Sequence, residues 1–192
     1  MRGFEEVLAS LRAGLVVAVP TDTVYGLAVD PRAPGATGEL FRLKGRPDTL
    51  ALPVLVGDIG EAWELGLPDG RAIALADRYW PGALTIIVAR QPAVGFDLGG
   101  DPRTIGLRCP AHAGTRRLLA TSGPLAVTSA NAHGMAPCRS AAEVRESFGP
   151  SLPVLDGGPA SGEPSTVVSL VGERPALLRL GSIPFGEVLA AL

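Results

Sequence analysis

At 192 residues, with 46% hydrophobic and 19% charged side chains, the chain can bury a core of its own, which excludes a disordered protein. A net charge of −2 excludes the broad basic footprint of a protein that grips nucleic acid through many phosphates, but leaves room for a small anionic ligand held by a few local cations. The 25 glycines and 18 prolines point to many short elements joined by tight turns rather than a helical bundle, and no linker divides the chain, so one domain over residues 1–192 is expected.

Phe4, Val7, Leu8 and Leu11 recur at helical spacing, with Gly14 placed as a left-handed C-terminal cap. This opening is polar and amphipathic, so neither a signal peptide nor a membrane span is expected. Leu15 to Val19 reads as a buried strand that stops at Pro20. Thr21, Asp22, Thr23 and Tyr25 then crowd hydrogen-bonding side chains into a short turn before a second apolar run, Gly26 to Val29. A helix is predicted over Pro34 to Leu43, ended by Gly45, then a strand at Val54 to Val56 and helices at Ile59 to Leu65 and Pro68 to Tyr79. Leu84 to Ala89 is a continuous apolar strand, and the glycine-rich loop Gly95 to Asp101 is a candidate flexible segment.

Thr104 to Arg108 and Leu125 to Thr128 read as strands around a helix at Thr115 to Ala120. Ser140 with Glu143 forms a capping box that opens a further helix. The tail alternates strands (Val154 to Asp156, Ser165 to Leu170, Ala176 to Leu180) with turns and closes on a helix from Pro184. Interleaved strands and helices predict an α/β fold, a twisted mixed sheet with flanking helices.

Four polar turns, at Thr21 to Tyr25, Thr104 to Arg108, Thr128 to Asn131 and Ser165-Thr166, each adjoin a short apolar strand, and ligands gather at such strand ends in α/β sheets. Lys44, Arg46, Arg108, Arg139 and Arg179 supply cations, and threonines, serines and Asn131 supply neutral donors; the set suits a polyphosphate and a carboxylate. Lys44 is the only lysine. Cys109 and Cys138 stand far apart, and with His112 and His133 they make no zinc spacing, so no metal ligands are assigned and a reducing cytoplasm fits. No nucleophile triad, phosphate loop or dinucleotide fingerprint can be assembled, which leaves chemistry by positioning and charge neutralisation, as in nucleotidyl transfer.

Six strings, PTDTVYGL from Pro20, KGRP from Lys44, WPGALT from Trp80, TIGLRCP from Thr104, TSAN from Thr128 and PSTVV from Pro164, closely resemble the threonylcarbamoyl-adenylate synthases, the YrdC-like family. The resemblance implies a YrdC-like fold. It also implies condensation of L-threonine, bicarbonate and ATP, accompanied by magnesium, to threonylcarbamoyl-adenylate and pyrophosphate, the product passing to separate proteins that modify tRNA. By motif, Lys44, Arg46, Ser129 and Asn131 match the family's tetrad around the nucleotide, Lys44 and Arg46 being the expected catalytic pair. Thr104, Arg139 and Arg179 look like further ATP contacts, although the two arginines also admit a solvated-surface reading. Thr23, Arg108 and Ser165 match the threonine pocket, Arg108 as the carboxylate clamp.

Asp22 is expected to cap its turn, Tyr25 to be a core aromatic with a satisfied hydroxyl, and the cysteines and histidines to pack or lie in loops. Leu50 stands where the family often has a lysine, and Ser169 and Leu180 depart from its STVVD and LRPG patterns. The extra C-terminal domain of longer members is not expected here, so any lid would come from Gly95 to Asp101 or Gly157 to Glu163. Three competing readings are a carbamoyl-adenylate-forming relative of the hydrogenase-maturation enzymes, an RNA-binding module, and an inactive paralogue. The missing cysteine-rich modules oppose the first, net acidity makes direct RNA binding weak or absent, and the intact KGRP and TSAN oppose the third.

Overall fold

The computed structural model describes residues 3–132 and 134–192. Among them seven helices surround one nine-stranded mixed sheet. The first helix, α1 (Phe4–Arg12), buries Val7, Leu8 and Leu11 and leads into the hairpin β1 (Val17–Val19) and β2 (Gly26–Val29). The next helix, α2 (Ala36–Lys44), ends at Gly45, whose φ of 64° turns the chain sharply between Lys44 and Arg46. There follow β3 (Val54–Leu55), α3 (Ile59–Leu65), β4 (Gly66–Leu67), α4 (Gly70–Tyr79), β5 (Leu84–Arg90), β6 (Thr104–Arg108), α5 (Ala113–Ser122) and β7 (Leu125–Ser129). The chain closes with α6 (Ala141–Phe148), β8 (Thr166–Ser169), β9 (Ala176–Arg179) and α7 (Phe185–Ala190).

The strands run in the order β1-β2-β7-β3-β6-β5-β8-β9, with β4 paired to β5. Only β3–β6 and β5–β8 are parallel pairs. Because residues opposite one another across a ladder share a face, the register fixes what the two faces carry. On one, Leu27, Val54, Ala126, Leu84, Ile86, Leu107 and Val168 join the larger core with Leu40 of α2, Ala62 of α3, Leu75 of α4, Val144 of α6 and Val188 of α7. The opposite face is covered at one end only, where Val17, Val19, Ala28, Leu55, Leu125 and Val127 pack on α1 and on Leu118 and Leu119 of α5.

Beyond that end the second face lies open. Gly106, Ile87, Val167 and Ser169 are half-buried on it and Ala89 is exposed. The continuous apolar strand read at Leu84 to Ala89 is present in β5, and from Ile86 onward its burial alternates, because helices cover it on one side alone.

Other expectations are corrected. The Val154 to Asp156 strand reduces to isolated bridge residues, Val154, which pairs with Ala18, and Asp156, and β4, two residues long, was not foreseen. Ser140 Oγ accepts from Glu143 N, but the Glu143 carboxylate returns to Arg139 N, one residue earlier than a capping box requires. The glycine-rich loop from Gly95 to Asp101 is fastened down: Leu98 is buried, its carbonyl accepts from Leu52 N, Gly100 N donates to Asp48 O, and Arg90 Nη1 holds Phe96 O.

Candidate active site

Between β1 and β2 the chain must turn in the core, so its polar groups have to satisfy one another. Thr21 Oγ1 donates to Val24 O at 2.6 Å and accepts from the amides of Thr23 and Val24. With its single hydrogen thus placed, the 2.8 Å contact to Thr23 Oγ1 has Thr23 as donor, which leaves Thr23 Oγ1 to accept 3.0 Å from Arg108 Nη1. Arg108, at the end of β6, also donates from Nε to Gly82 O and from Nη2 to Asp22 Oδ1 at 2.8 Å. Three of its five N–H groups are placed; among the described residues the other two have no partner. Burial pushes this guanidinium down, and Asp22 opposes the shift. Asp22 is not a local turn cap: the same Oδ1 accepts from Ala111 N across the chain.

Lys44 is buried. Its Nζ donates to Ser129 O at 2.7 Å, Asn131 O at 2.7 Å and Asn131 Oδ1 at 2.5 Å, with Ser129 Oγ at 3.3 Å. Burial, aided by nearby Arg46, lowers Lys44 to about 8. Asn131 is locked by its own Nδ2, which donates to Ala132 O and Met135 O. Arg46 bends over the following loop, Nε donating to Leu50 O and Nη2 to Ala51 O. Arg179, from the edge strand, donates to Ser165 O and, at 2.9 Å, to Ser165 Oγ, which lies 2.9 Å from Thr85 Oγ1.

These groups meet in one open cleft, lined by Thr21, Thr23, Gly26, Arg46, Pro53, Leu55, Thr85, Arg108, Val127, Ser129, Ser165 and Arg179 among others. Register explains the convergence. Gly26 stands opposite Ser129, Leu55 opposite Arg108, Thr85 opposite Val167 and Val167 opposite Arg179, so one open face gathers residues from both ends of the chain. Among the described residues none of the lining side chains is a carboxylate. The cleft is therefore electropositive: burial and then the charges of Arg108 and Arg46 hold Arg179 down, as expected of cations gathered without an anion between them.

Of the residues singled out in the sequence, Thr23, Arg46, Arg108, Ser129, Ser165 and Arg179 line the cleft. Lys44 and Asn131 stand directly behind Ser129. Thr104 shares the strand face of Arg108 at the far end of β6, beyond Gly106, and its hydroxyl bonds Asp101 O. Arg139 lies apart, exposed, with its guanidinium over Gly162. Tyr25 is a buried aromatic whose hydroxyl donates to Gly158 O, and His112 caps α5; His133 falls outside the described residues. Sequence reasoning passed over Thr85 and Gly26, which only strand register places at the site. Within the Gly157 to Glu163 segment, Ser161 Oγ bonds the carbonyls of Asp22 and Thr23, so this stretch lies over the Thr21–Val24 turn.

A family model described as Telomere recombination, covering the Sua5, YciO and YrdC proteins, matches residues 9–181. A Mycobacterium tuberculosis protein is 38% identical over 195 residues, 100% of this chain and 89% of its own. A Photorhabdus laumondii protein named threonylcarbamoyl-AMP synthase is 37% identical over 159 residues, 80% of this chain and 84% of its own. The solved structure of Pyrococcus abyssi Sua5 complexed with L-threonine superposes with a TM-score of 0.92 at 33% identity, over 98% of this chain and 57% of that longer one. With fold, six motifs and relatives in agreement, the chain belongs to the Sua5/YciO/YrdC family.

Proposed function

We propose that the protein is an L-threonylcarbamoyladenylate synthase, which joins L-threonine, bicarbonate and ATP into threonylcarbamoyl-AMP with release of pyrophosphate and of the water lost when the amine and bicarbonate form the carbamate. One observation carries the reading most: three guanidiniums, of Arg46, Arg108 and Arg179, converge with neutral hydroxyls on a cleft that offers no carboxylate among its described lining residues. Such a cleft favours two anions side by side, a triphosphate and an amino-acid carboxylate. Arg108, with two N–H groups to spare, takes the carboxylate, and Arg46 and Arg179 face the phosphates.

In this mechanism the threonine carbamate is the attacking anion and the α-phosphorus its target. Attack of a carbamate oxygen forms the new P–O bond, and the bond to the β-phosphate bridge breaks to release pyrophosphate. The protein contributes alignment and fixed positive charge where charge builds on the departing group. Lys44 organises Ser129 and Asn131 beside the nucleotide. Thr104 and Arg139 would extend the nucleotide contacts along β6 and from the loop ahead of α6. Magnesium would arrive with the ATP substrate, held chiefly by its phosphates.

The product serves separate proteins that modify tRNA, in a cytoplasmic setting that suits two buried free thiols. Among the described residues no helix is long and apolar enough to cross a membrane. The test is pyrophosphate release with ATP, bicarbonate and magnesium, with and without L-threonine. Threonine-dependent release is expected, and release indifferent to threonine overturns the assignment.

A further inference from the structure

Thr85 sits in the middle of the cleft floor with 3% of its surface exposed, yet its hydroxyl has one partner among the described residues, Ser165 Oγ at 2.9 Å. An arginine can only donate, so Ser165 Oγ is an acceptor toward Arg179 Nη2 at 2.9 Å. Two hydroxyl hydrogens then remain in the Thr85–Ser165 pair, and the bond between them uses one. The other is left over whichever side donates, and both residues line the cleft. An oxygen that already accepts from a cation becomes the better donor, so polarity runs from Arg179 through Ser165 to Thr85. The spare hydrogen is then that of Thr85. It lies beside Arg108: Ile87 pairs with Gly106, and two residues back along β5 and two forward along antiparallel β6 stand Thr85 and Arg108 on the same face.

We propose that Thr85 is a substrate-contacting residue, its hydroxyl donating to the carboxylate held by Arg108 as the end of an Arg179–Ser165–Thr85 chain. The neighbouring network has the opposite polarity. Thr23 spends its hydrogen on Thr21 and accepts from Arg108, so toward a ligand it offers only a lone pair, suited to the α-amino N–H of the same molecule. A donor pole on β5 and β6 and an acceptor pole on the β1–β2 turn together fit an α-amino acid presented in one orientation. The inference rests on the amino-acid site of the proposed function.

The experiment is calorimetric titration of the full chain with L-threonine, alongside Thr85→Val, which keeps the shape and removes the hydroxyl, and Thr85→Ser, which restores it. Hydrogen bonds to charged groups set the scale, so Thr85→Val is expected to weaken threonine roughly ten- to a hundredfold, with Thr85→Ser recovering most of the loss. ATP affinity and the unfolding midpoint, measured on the same samples, are expected to move little. If the unaltered protein takes up no threonine, the amino-acid site itself is wrong. If it binds and Thr85→Val binds equally well, Thr85 is a structural hydroxyl and the proposal falls. Equal losses in both variants, or a parallel loss of ATP affinity and stability, overturn it in favour of packing.

Discussion

Lys44 has been withdrawn from water, so its three N–H groups must find oxygen inside the protein, and they find it on Ser129 and Asn131. Burial lowers the group to about 8, which means the ammonium is intact at neutral pH and is lost as pH rises through that value. The neutral amine has one hydrogen fewer for the same oxygens. The profile of kcat/KM against pH, which reports the free enzyme, is therefore expected to descend with a midpoint near 8. Lys44→Ala should cost on the order of a hundredfold or more in turnover while circular dichroism shows the fold retained, and near-normal turnover would remove Lys44 from the chemistry. Asp22 shows what residue-level reading misses. Its sequence neighbourhood suggests a turn cap, but the partner that matters, Arg108, is 86 residues away and is met only after folding. Asp22→Ala leaves that buried guanidinium without its counter-charge and should lower stability by on the order of 3 kcal/mol in denaturant unfolding. Asp22→Asn, which keeps an acceptor for Arg108 and Ala111, should lose clearly less.

Elements were legible where their signals are local. The bounds of α3 and β6 agree with the sequence reading because Asp58 caps the helix and an apolar run bounded by polar residues marks the strand. Pairing is not local, and so β4 escaped: two residues form a strand only because Gly66 comes close to β5, where an added Cβ would stand 2.6 Å from Val88 Cγ2. The same limitation hid Gly26, at the edge of the cleft. A Cβ there would lie 2.6 Å from Val127 Cγ1 and 3.2 Å from Thr128 O, so β2 approaches β7 at a distance that permits no side chain. Gly26→Ala is expected to destabilise the protein by about 1–3 kcal/mol through overpacking. Trimming the neighbour with Val127→Ala in the same chain should recover part of that loss, and a double-mutant cycle in urea measures the recovery. Strictly additive effects would show that the two positions do not press on one another.

The whole molecule is lopsided: helices cover one sheet face from β2 as far as β8 and the other only over β1, β2, β7 and β3. Alternation along β5 could have revealed a half-open sheet, but Thr85 is the one polar residue from Leu84 to Val88 and Ile87 on its face is apolar, so the sequence alone held too little contrast to say which side faces solvent. The open side ends at β9, an edge strand paired only to β8 and exposed along its length, yet Arg179 of the proposed nucleotide site belongs to it. Such an edge opens by local fraying, at far less cost than global unfolding. A triphosphate on Arg179 and an amino acid beside Ser165 would tie this edge to Arg46 and Arg108 in the middle of the sheet. Ligands at 100 times their Kd stabilise the native state by about 2.7 kcal/mol, and that gain should appear where the new ties lie. Hydrogen–deuterium exchange over Thr166 to Arg179 is thus expected to slow severalfold or more with magnesium-ATP and L-threonine together, while α1 and α5, on the packed end, exchange as before. Unchanged exchange over β8 and β9 under saturation would mean that the ligands do not reach Arg179, and the cleft would have to be confined to β7, β3 and β6.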